Sequence, residues 1–476
     1  MSKIEVNTVE PQCGTTLTLG GSGDTVALGS GASQTGFGRT GTVNWVTTKK
    51  TTGFTAVSGE GYFCDTAASG AFTLTLPASP SAGNIVGLKD YNGNFASANL
   101  TIGRNGSPIN GGNTADVDIS TAGASIFLVY VDGSQGWVAT QDDSSTFKGD
   151  SFIVATGGDA IRTCGNYKTH IFTGPGTFAV ACISGCAANN KLDYLVVAGG
   201  GGGGGNAPNC GPTAGSGGGG AGGFRVANSL SLPAPLTSPL ASPTGLTATA
   251  TPYPIQVGGG GPGGTADGPV PSRIGVNGTP AVFSTITSAG GGYGLYHNVP
   301  STPGVTGGPG GSGGGSARDV GSAGGTGNTP PVSPPQGNDG GSSQPPSYGG
   351  TGGGGGAGAA GGNGTGGAIC TEVGGPGGVG SYIDDNFIGP TAPTYGAGGP
   401  VSNTRYFAGG GGGGNWDNTP ALGTGGTGGG GAGALANGPT GGTGTSGVCN
   451  TGGGGGGGKC GGQGGSGIVM IRYRYQ

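Results

Sequence analysis

The chain has 476 residues, of which 127 are glycine and only 8% are Asp, Glu, Lys or Arg, with a formal net charge of −4. An ordinary soluble domain carries about 7% glycine and about 25% charge, so a single conventional globule on a hydrocarbon core is excluded, although the length allows two to four domains. The sparse charge forms no Lys/Arg cluster and no Arg-Gly-Gly repeat, so nucleic acid is not an expected partner. Apolar runs fall short of the roughly 18 residues that span a bilayer. The start Met1-Ser-Lys-Ile-Glu-Val lacks the apolar core of a secretion signal. Cytoplasmic synthesis without membrane insertion is the expectation.

In chain order, Lys3 to Val9, Thr15 to Leu19 and Asp24 to Leu28 alternate apolar and polar residues as short strands do. This segment, residues 1–39, is too thin in apolar residues to stand alone and is expected to attach or oligomerise. Residues 40–146 have nearly ordinary composition. Runs at Val43–Val46, Tyr62–Cys64, Ala71–Leu76, Ile85–Leu88, Asn99–Ile102, Ser125–Val131 and Gly136–Thr140 predict a small β-sandwich or jelly roll. Asp132-Gly133 marks a hairpin between the last two strands. Residues 147–200 continue as a β segment with His170–Thr173, Thr177–Ala181 and Leu192–Ala198. Residues 201–476 alternate polyglycine with variable inserts and close on a strand, 467–475. In that strand Val469, Ile471, Tyr473 and Tyr475 share one face and the two arginines the other.

Glycine loses the most backbone entropy on ordering and brings no side chain to bury. Disordered segments usually stay soluble through charge, which is nearly absent between Gly199 and Gly467. Collagen needs an unbroken glycine at every third position, and Gly352–Gly356 and Gly452–Gly458 do not keep it. A polyglycine-II helix has three residues per turn and no internal hydrogen bonds, so several side by side would satisfy one another through backbone alone. The predicted fold class is therefore all-β with a polyglycine-II domain whose inserts form long loops.

The loops predicted at the bundle ends are Val299–Gly307, Thr329–Ser347, Ile383–Val401 and Asn415–Leu422, rich in Pro and polar residues with single aromatics. Loops on a stiff scaffold are where binding residues usually sit. The receptor-binding candidates are Tyr293, Tyr296, His297, Tyr348, Tyr382, Tyr395, Tyr406 and Trp416; Phe407 is a further aromatic there. Flat rings beside Asn or Asp suit stacking on sugar faces, and packing on the glycine backbone is the alternative for each.

Catalytic equipment is scarce. With only His170 and His297, nucleophilic triads have little material. Asp384 and Asp385 beside Tyr382 leave glycoside cleavage as a minor reading against a solvated turn. Gly453–Cys460 approaches a phosphate loop but ends in Cys where magnesium needs Ser or Thr. The nine cysteines offer two local pairs, Cys182/Cys186 and Cys449/Cys460, and no zinc spacing. No enzyme activity, cofactor or metal is expected.

Ala155-Thr-Gly-Gly, Asp193-Tyr-Leu-Val-Val-Ala followed by polyglycine, Gly222-Gly-Phe-Arg, Pro254-Ile-Gln-Val-Gly-Gly and Gly465-Ser-Gly-Ile-Val-Met-Ile-Arg-Tyr resemble the glycine-rich domain of bacteriophage tail-fibre tips, over Phe152 to Gln476. Met1 to Gln12 resembles the start of virion structural proteins from marine and cyanobacterial phages. The resemblance implies an oligomeric fibre of the virion, a homotrimer or similar. It would be joined to other tail or baseplate proteins at its N-terminal end and would contact a host glycan or protein receptor through C-terminal loops. A spacer or adaptor without receptor contact is the alternative, and a polysaccharide depolymerase a more distant one.

Overall fold

A computed structural model describes residues 43–111, 115–142, 152–184, 187–206, 215–229, 237–266, 269–296, 305–318, 322–343, 350–366, 372–389, 394–416, 421–436 and 441–475. The three strands expected before residue 39 lie outside them. Among the described residues, helix is confined to Val270–Arg273, Asp385–Ile388 and a 3-10 turn at Ala187–Asn189, so the protein is all-β. The chain divides into two compact units, Met1–Gly149 and Asp150–Gln476.

The first unit contains β1 (Asn44–Lys50), β2 (Phe54–Thr55), β3 (Glu60–Cys64), β4 (Phe72–Thr75), β5 (Ile85–Asp90), β6 (Leu100–Gly103), β7 (Val117–Ile119), β8 (Ser125–Tyr130) and β9 (Trp137–Asp142). Its two sheets, ordered β1-β3-β5-β8-β9 and β2-β4-β6-β7, share one core of Tyr62, Leu74, Val86, Leu88, Ile102, Ile126 and their neighbours. A sandwich was expected, but the jelly-roll alternative does not hold. The chain alternates between the sheets, so β1, β3 and β5 pair in parallel, as do β2, β4 and β6. A jelly roll pairs its strands antiparallel. These first strands are turns of a flattened coil, closed by the antiparallel strands β7, β8 and β9. On the outer face the Trp45 ring lies 4.9 Å from Phe63 and 6.0 Å from Phe127. It covers Gly61, where any Cβ would strike Val43 and Trp45. The predicted hairpin forms at Asp132, whose Oδ1 accepts from the N–H groups of Ser134 and Gln135 at 2.8 and 2.6 Å.

The second unit contains β10 (Val154–Thr156), β11 (Ala160–Cys164), β12 (Tyr167–Phe172), β13 (Gly176–Cys182), β14 (Lys191–Val197), β15 (Phe224–Ala227), β16 (Ala241–Ser242), β17 (Leu246–Thr247), β18 (Pro252–Gln256), β19 (Ala281–Phe283), β20 (Ile286–Ser288), β21 (Ser381–Asp384), β22 (Thr404–Phe407) and β23 (Ile468–Arg474). One sheet runs β10-β13-β18-β19-β20, the other β11-β12-β23-β14-β15-β16, and strands from both sides of residue 200 belong to each. The closing strand β23 lies in the middle of its sheet, antiparallel to β12 and β14. Val469, Ile471 and Tyr473 face the core between the sheets with Phe172, Phe178, Tyr194 and Phe283. Ile468 and Met470 face the opposite core with Phe224, Phe387 and Phe407. The alternation seen in the sequence is thus buried on both sides.

The glycine runs extend directly from these strands. β14, β18, β20 and β22 pass into Gly199, Gly258, Gly290 and Gly409, and Gly223, Pro280, Gly380 and Gly467 lead into β15, β19, β21 and β23. The run Gly199–Gly205 shows how they pack. N–H groups 199, 202 and 205 donate to the carbonyls of Thr279, Val276 and Arg273; 200 and 203 to Gly465 and Gly462; 201 and 204 to Gly220 and Gly217, all at 2.8–3.1 Å. Partners recur every third residue in descending order, the signature of a three-fold helix among antiparallel neighbours. Its carbonyls accept from Gly261 and Gly264, Gly291 and Gly294, and Gly455 and Gly458, in ascending order, from parallel neighbours. Six helices therefore surround it. At each glycine of this run a Cβ would sit closer than 3.0 Å to a neighbour's backbone, a separation that real Cβ atoms essentially never show. Glycine is required here for space.

The same geometry explains where other residues occur. Runs buried throughout, such as Gly409–Gly414 and Gly452–Gly458, are pure glycine. Along Gly374–Gly380 the exposed positions are Pro376 and Val379, one residue in three. At Thr443–Gly447 only Gly444 and Gly447 are buried, while Thr443, Thr445 and Ser446 are exposed. Interior, face and corner of the bundle thus read as GGG, GGX and GXX.

Candidate functional site

Because each glycine helix starts or ends on a strand, the bundle has a sandwich end and a free end. At the free end the chain repeatedly leaves and returns, at Asn206 and Gly215, Tyr296 and Val305, Arg318 and Ser322, Ser343 and Gly350, Gly366 and Glu372, and Trp416 and Ala421. These points are tied together by buried side chains. Ser216 Oγ donates to Gly458 O at 2.9 Å, Thr351 Oγ1 to Gly414 O at 2.6 Å and Asn415 Nδ2 to Glu372 O at 2.5 Å. Ser343 Oγ reaches Ser322 O and Ser322 Oγ reaches Val305 O, both at 3.1 Å.

An ion pair between Arg318 and Glu372 joins two of these points, with side chains 2% and 1% exposed. Arg318 also borders Gly215, since a Cβ there would meet Thr351 and approach the Arg318 stem. A buried pair of this kind gains little net stability over an apolar pair, but it fixes geometry and is costly to break on one side. Neither residue is among the aromatic candidates that the sequence offers. Their signal was rarity: a lone Arg and a lone Glu, each adjoining an insert in a stretch almost without charge.

The structure separates the expected receptor-binding aromatics. Tyr296 is buried and lies at the free end beside Leu295, whose carbonyl accepts from Gly217 N–H at 2.8 Å. Trp416 is half-buried at the same end, its backbone N–H donating to Asn415 Oδ1 at 2.8 Å. Tyr293 belongs to the flank, where its half-buried ring covers Gly308. Tyr382, Tyr395 and Tyr406 lie instead at the sandwich end. β21 and β22 pair there, placing the Tyr382 and Tyr406 rings 5.2 Å apart. Tyr395 packs on the apolar cluster that contains Phe407 and accepts from Arg405 Nε at 2.9 Å. Tyr406 is 4% exposed, and burial raises its phenol pKa above the usual value. His297 and Tyr348 lie outside the described residues. The insert expected at Thr329–Ser347 also splits: Asn328 Oδ1 accepts from Val332 and Gln336 N–H, and buried Gln336 accepts from Ala289 N–H at 2.8 Å, which anchors its first half at the sandwich end.

Asp384 and Asp385 differ from a solvated turn. Asp384 is fully buried, with Oδ1 accepting from Asn386 N–H at 2.8 Å, and it lines a cavity of about 10 Å3. Such a volume holds about one water molecule, whereas ligand clefts run to hundreds of Å3. No sugar ring fits beside this carboxylate. Among the described residues, no group of three or more His, Cys, Asp or Glu is placed to hold a metal.

The profile of the glycine-rich domain family matches residues 172–474, more than half of the chain. The chain belongs to the glycine-rich domain family. The match begins at the last residue of β12 and ends at the last of β23. The family's glycine-rich domain is therefore the bundle together with nearly all of the sandwich from which it grows. No curated protein matches the chain.

Proposed function

We propose that this glycine-rich protein is a bacteriophage tail-fibre component that attaches the virion to the host surface through residues at the free end of its bundle. The observation that carries the reading is the convergence of chain crossings on that end, fastened by Ser216, Thr351, Asn415 and the Arg318–Glu372 pair. Binding groups held on rigid roots lose less entropy when they engage a ligand. Trp416 supplies an aromatic plane beside Asn415 at this end, suited to a sugar face or an apolar protein patch. The resemblance at both ends of the sequence supports the virion, attachment through the N-terminal segment to tail or baseplate proteins, and a homotrimer.

The test uses the full chain and susceptible cells. Residues 297–304 and 417–420 are replaced by Gly/Ser stretches of equal length, and folding is checked by circular dichroism. Binding to cells is expected to fall at least tenfold. Unchanged binding overturns the receptor role and leaves a fibre spacer or adaptor. Sedimentation equilibrium of the same protein tests the trimer.

A further inference from the structure

We infer that the outer face of the first unit's larger sheet, β1-β3-β5-β8-β9, is the surface on which copies of this chain meet; that the copies number three rests on the reading above. A sheet with one face in water alternates apolar-in and polar-out along its strands, whereas a sheet covered on both faces does not. The first unit holds one of each. On the outer face of β2-β4-β6-β7 stand Thr55, Thr73, Thr75, Thr101 and Asp118, with Thr101 Oγ1 donating to Asp118 Oδ1 at 2.6 Å. On the larger sheet the outward positions are Trp45, Phe63, Ile85, Phe127, Val129 and Val138. They alternate with core residues such as Tyr62, Val86, Ile126 and Trp137, and none of the six belongs to the core shared by the two sheets.

The glycines of this face make it smooth. A Cβ at Gly61 or Gly87 would sit closer than 3.0 Å to Val43, and at Gly61 it would also strike the indole of Trp45. Without those side chains the Trp45 ring lies across the sheet. Tyr91, 52% exposed, extends the surface at 6.4 Å from Phe63. Aromatic rings with few free charges are the composition of interface centres.

Three observations select a second copy as the occupant. The first is charge. Lys49 Nζ is bonded to Asp65 Oδ2 at 2.7 Å and Lys89 Nζ donates to Gly123 O, so the cations at the rim are engaged within the chain. An acidic partner would need them free, while an apolar face meeting its own copies does not. The second is size. With five strands of five to seven residues, the face measures about 20 by 24 Å, roughly 500 Å2 in projection. Two such faces together reach about 1,000 Å2, where specific protein interfaces begin. The third is the entry of the chain. Val43, the first described residue, lies on this face against Gly61 and Gly87, so residues 1–42, which the sequence gives to attachment or oligomerisation, join the fold there.

The experiment compares the full-length wild type with a double variant, Ile85→Lys with Val129→Lys, two residues directly opposite each other on β5 and β8. The control is Thr55→Lys with Thr75→Lys, an opposed pair on the polar sheet. Phe127→Ser stands in should the double variant fail to fold, as judged by circular dichroism and thermal melting. Sedimentation equilibrium reads the mass against the 44.5 kDa chain. Wild type and control are expected at three chain masses, and the face variant should need at least tenfold higher concentration to assemble. A wild-type trimer that the face variants leave intact overturns this face and spares the trimer. A wild-type monomer overturns both. A wild-type dimer that the face variants dissociate keeps the face and overturns the trimer alone.

Discussion

The His170 imidazole and the Tyr473 phenol lie stacked in the core of the second unit, ring centroids 5.6 Å apart, with Nε2 3.1 Å from the hydroxyl oxygen. Nδ1 lies 2.6 Å from Gly157 O, and a carbonyl can only accept, so Nδ1 carries the proton and Nε2 accepts from Tyr473. His170 is thus held neutral, and burial lowers its pKa below the usual 6.5.

A pH dependence follows. Below 6.5 the unfolded chain takes up a proton at His170 that the folded protein does not, so stability falls with falling pH until the lowered folded pKa is reached. The slope in that window is at most about 1.4 kcal/mol per pH unit. Tyr473 contributes on the alkaline side: burial pushes its phenol up to about 12, so its share of stability is lost as pH rises from 10 towards 12. Urea denaturation across pH 4–7 should show the acid slope in the wild type and a shallower one in His170→Gln. Equal slopes would assign the acid sensitivity elsewhere.

Substitution in the bundle should depend on position more than on chemistry. Gly455→Ala drives a Cβ into the Gly462 backbone and is expected to cost at least about 1–3 kcal/mol. Thr445→Ala, on an exposed corner, should change stability by no more than about 0.5 kcal/mol. Thermal denaturation of the two variants checks the contrast, and similar losses would refute the hexagonal packing.

The Arg318–Glu372 pair predicts strong non-additivity. Arg318→Met or Glu372→Met alone leaves a buried charge and should cost about 3–5 kcal/mol, whereas the double variant Arg318→Met with Glu372→Met should recover most of it. A double-mutant cycle by chemical denaturation measures the coupling. Additive losses would mean that the two side chains are not paired in solution.

Cys449 and Cys460 should both titrate as thiols in the folded protein without reductant. Both are free in the structure; Cys449 sits in the sandwich-end turn and Cys460 at the free end, where Thr443 bridges it. The intervening glycine helix separates them by about 20 Å at about 3.1 Å per residue, far beyond the roughly 7 Å that a disulfide spans. Cys64, fully buried with its thiol pushed up to about 12, should react only on unfolding. A thiol-reactive chromophore followed over time distinguishes the classes.

Much of this fold is legible in the residues. The two faces of β23 could be read from alternation alone, and the glycine runs pointed to backbone-paired helices. What could not be read was direction. Whether an insert sits at the sandwich end or the free end depends on how many times the chain has already crossed the bundle, and the short turns at Ala357–Ala359 and Thr427–Gly429 add crossings without any strong local signal. For that reason Tyr382, Tyr395 and Tyr406 looked equivalent to Trp416. In the first unit, β2 and β7 are two and three residues long, too short for a period to register, and without β2 the parallel coil is invisible. Asp384 resembled a solvated turn because burial by β15 and β16 is a tertiary fact.

The glycine helices also bear on how the molecule responds to temperature. Their interior is peptide groups and Cα hydrogens, and exposing polar surface lowers the heat capacity of unfolding while exposing apolar surface raises it. The bundle should contribute less heat capacity per residue than the sandwich beneath it, giving a broader, flatter stability curve. Calorimetry would then find two halves of one unit that respond differently to temperature: a sandwich weakened by cooling, as apolar cores are, and a bundle nearly indifferent to it.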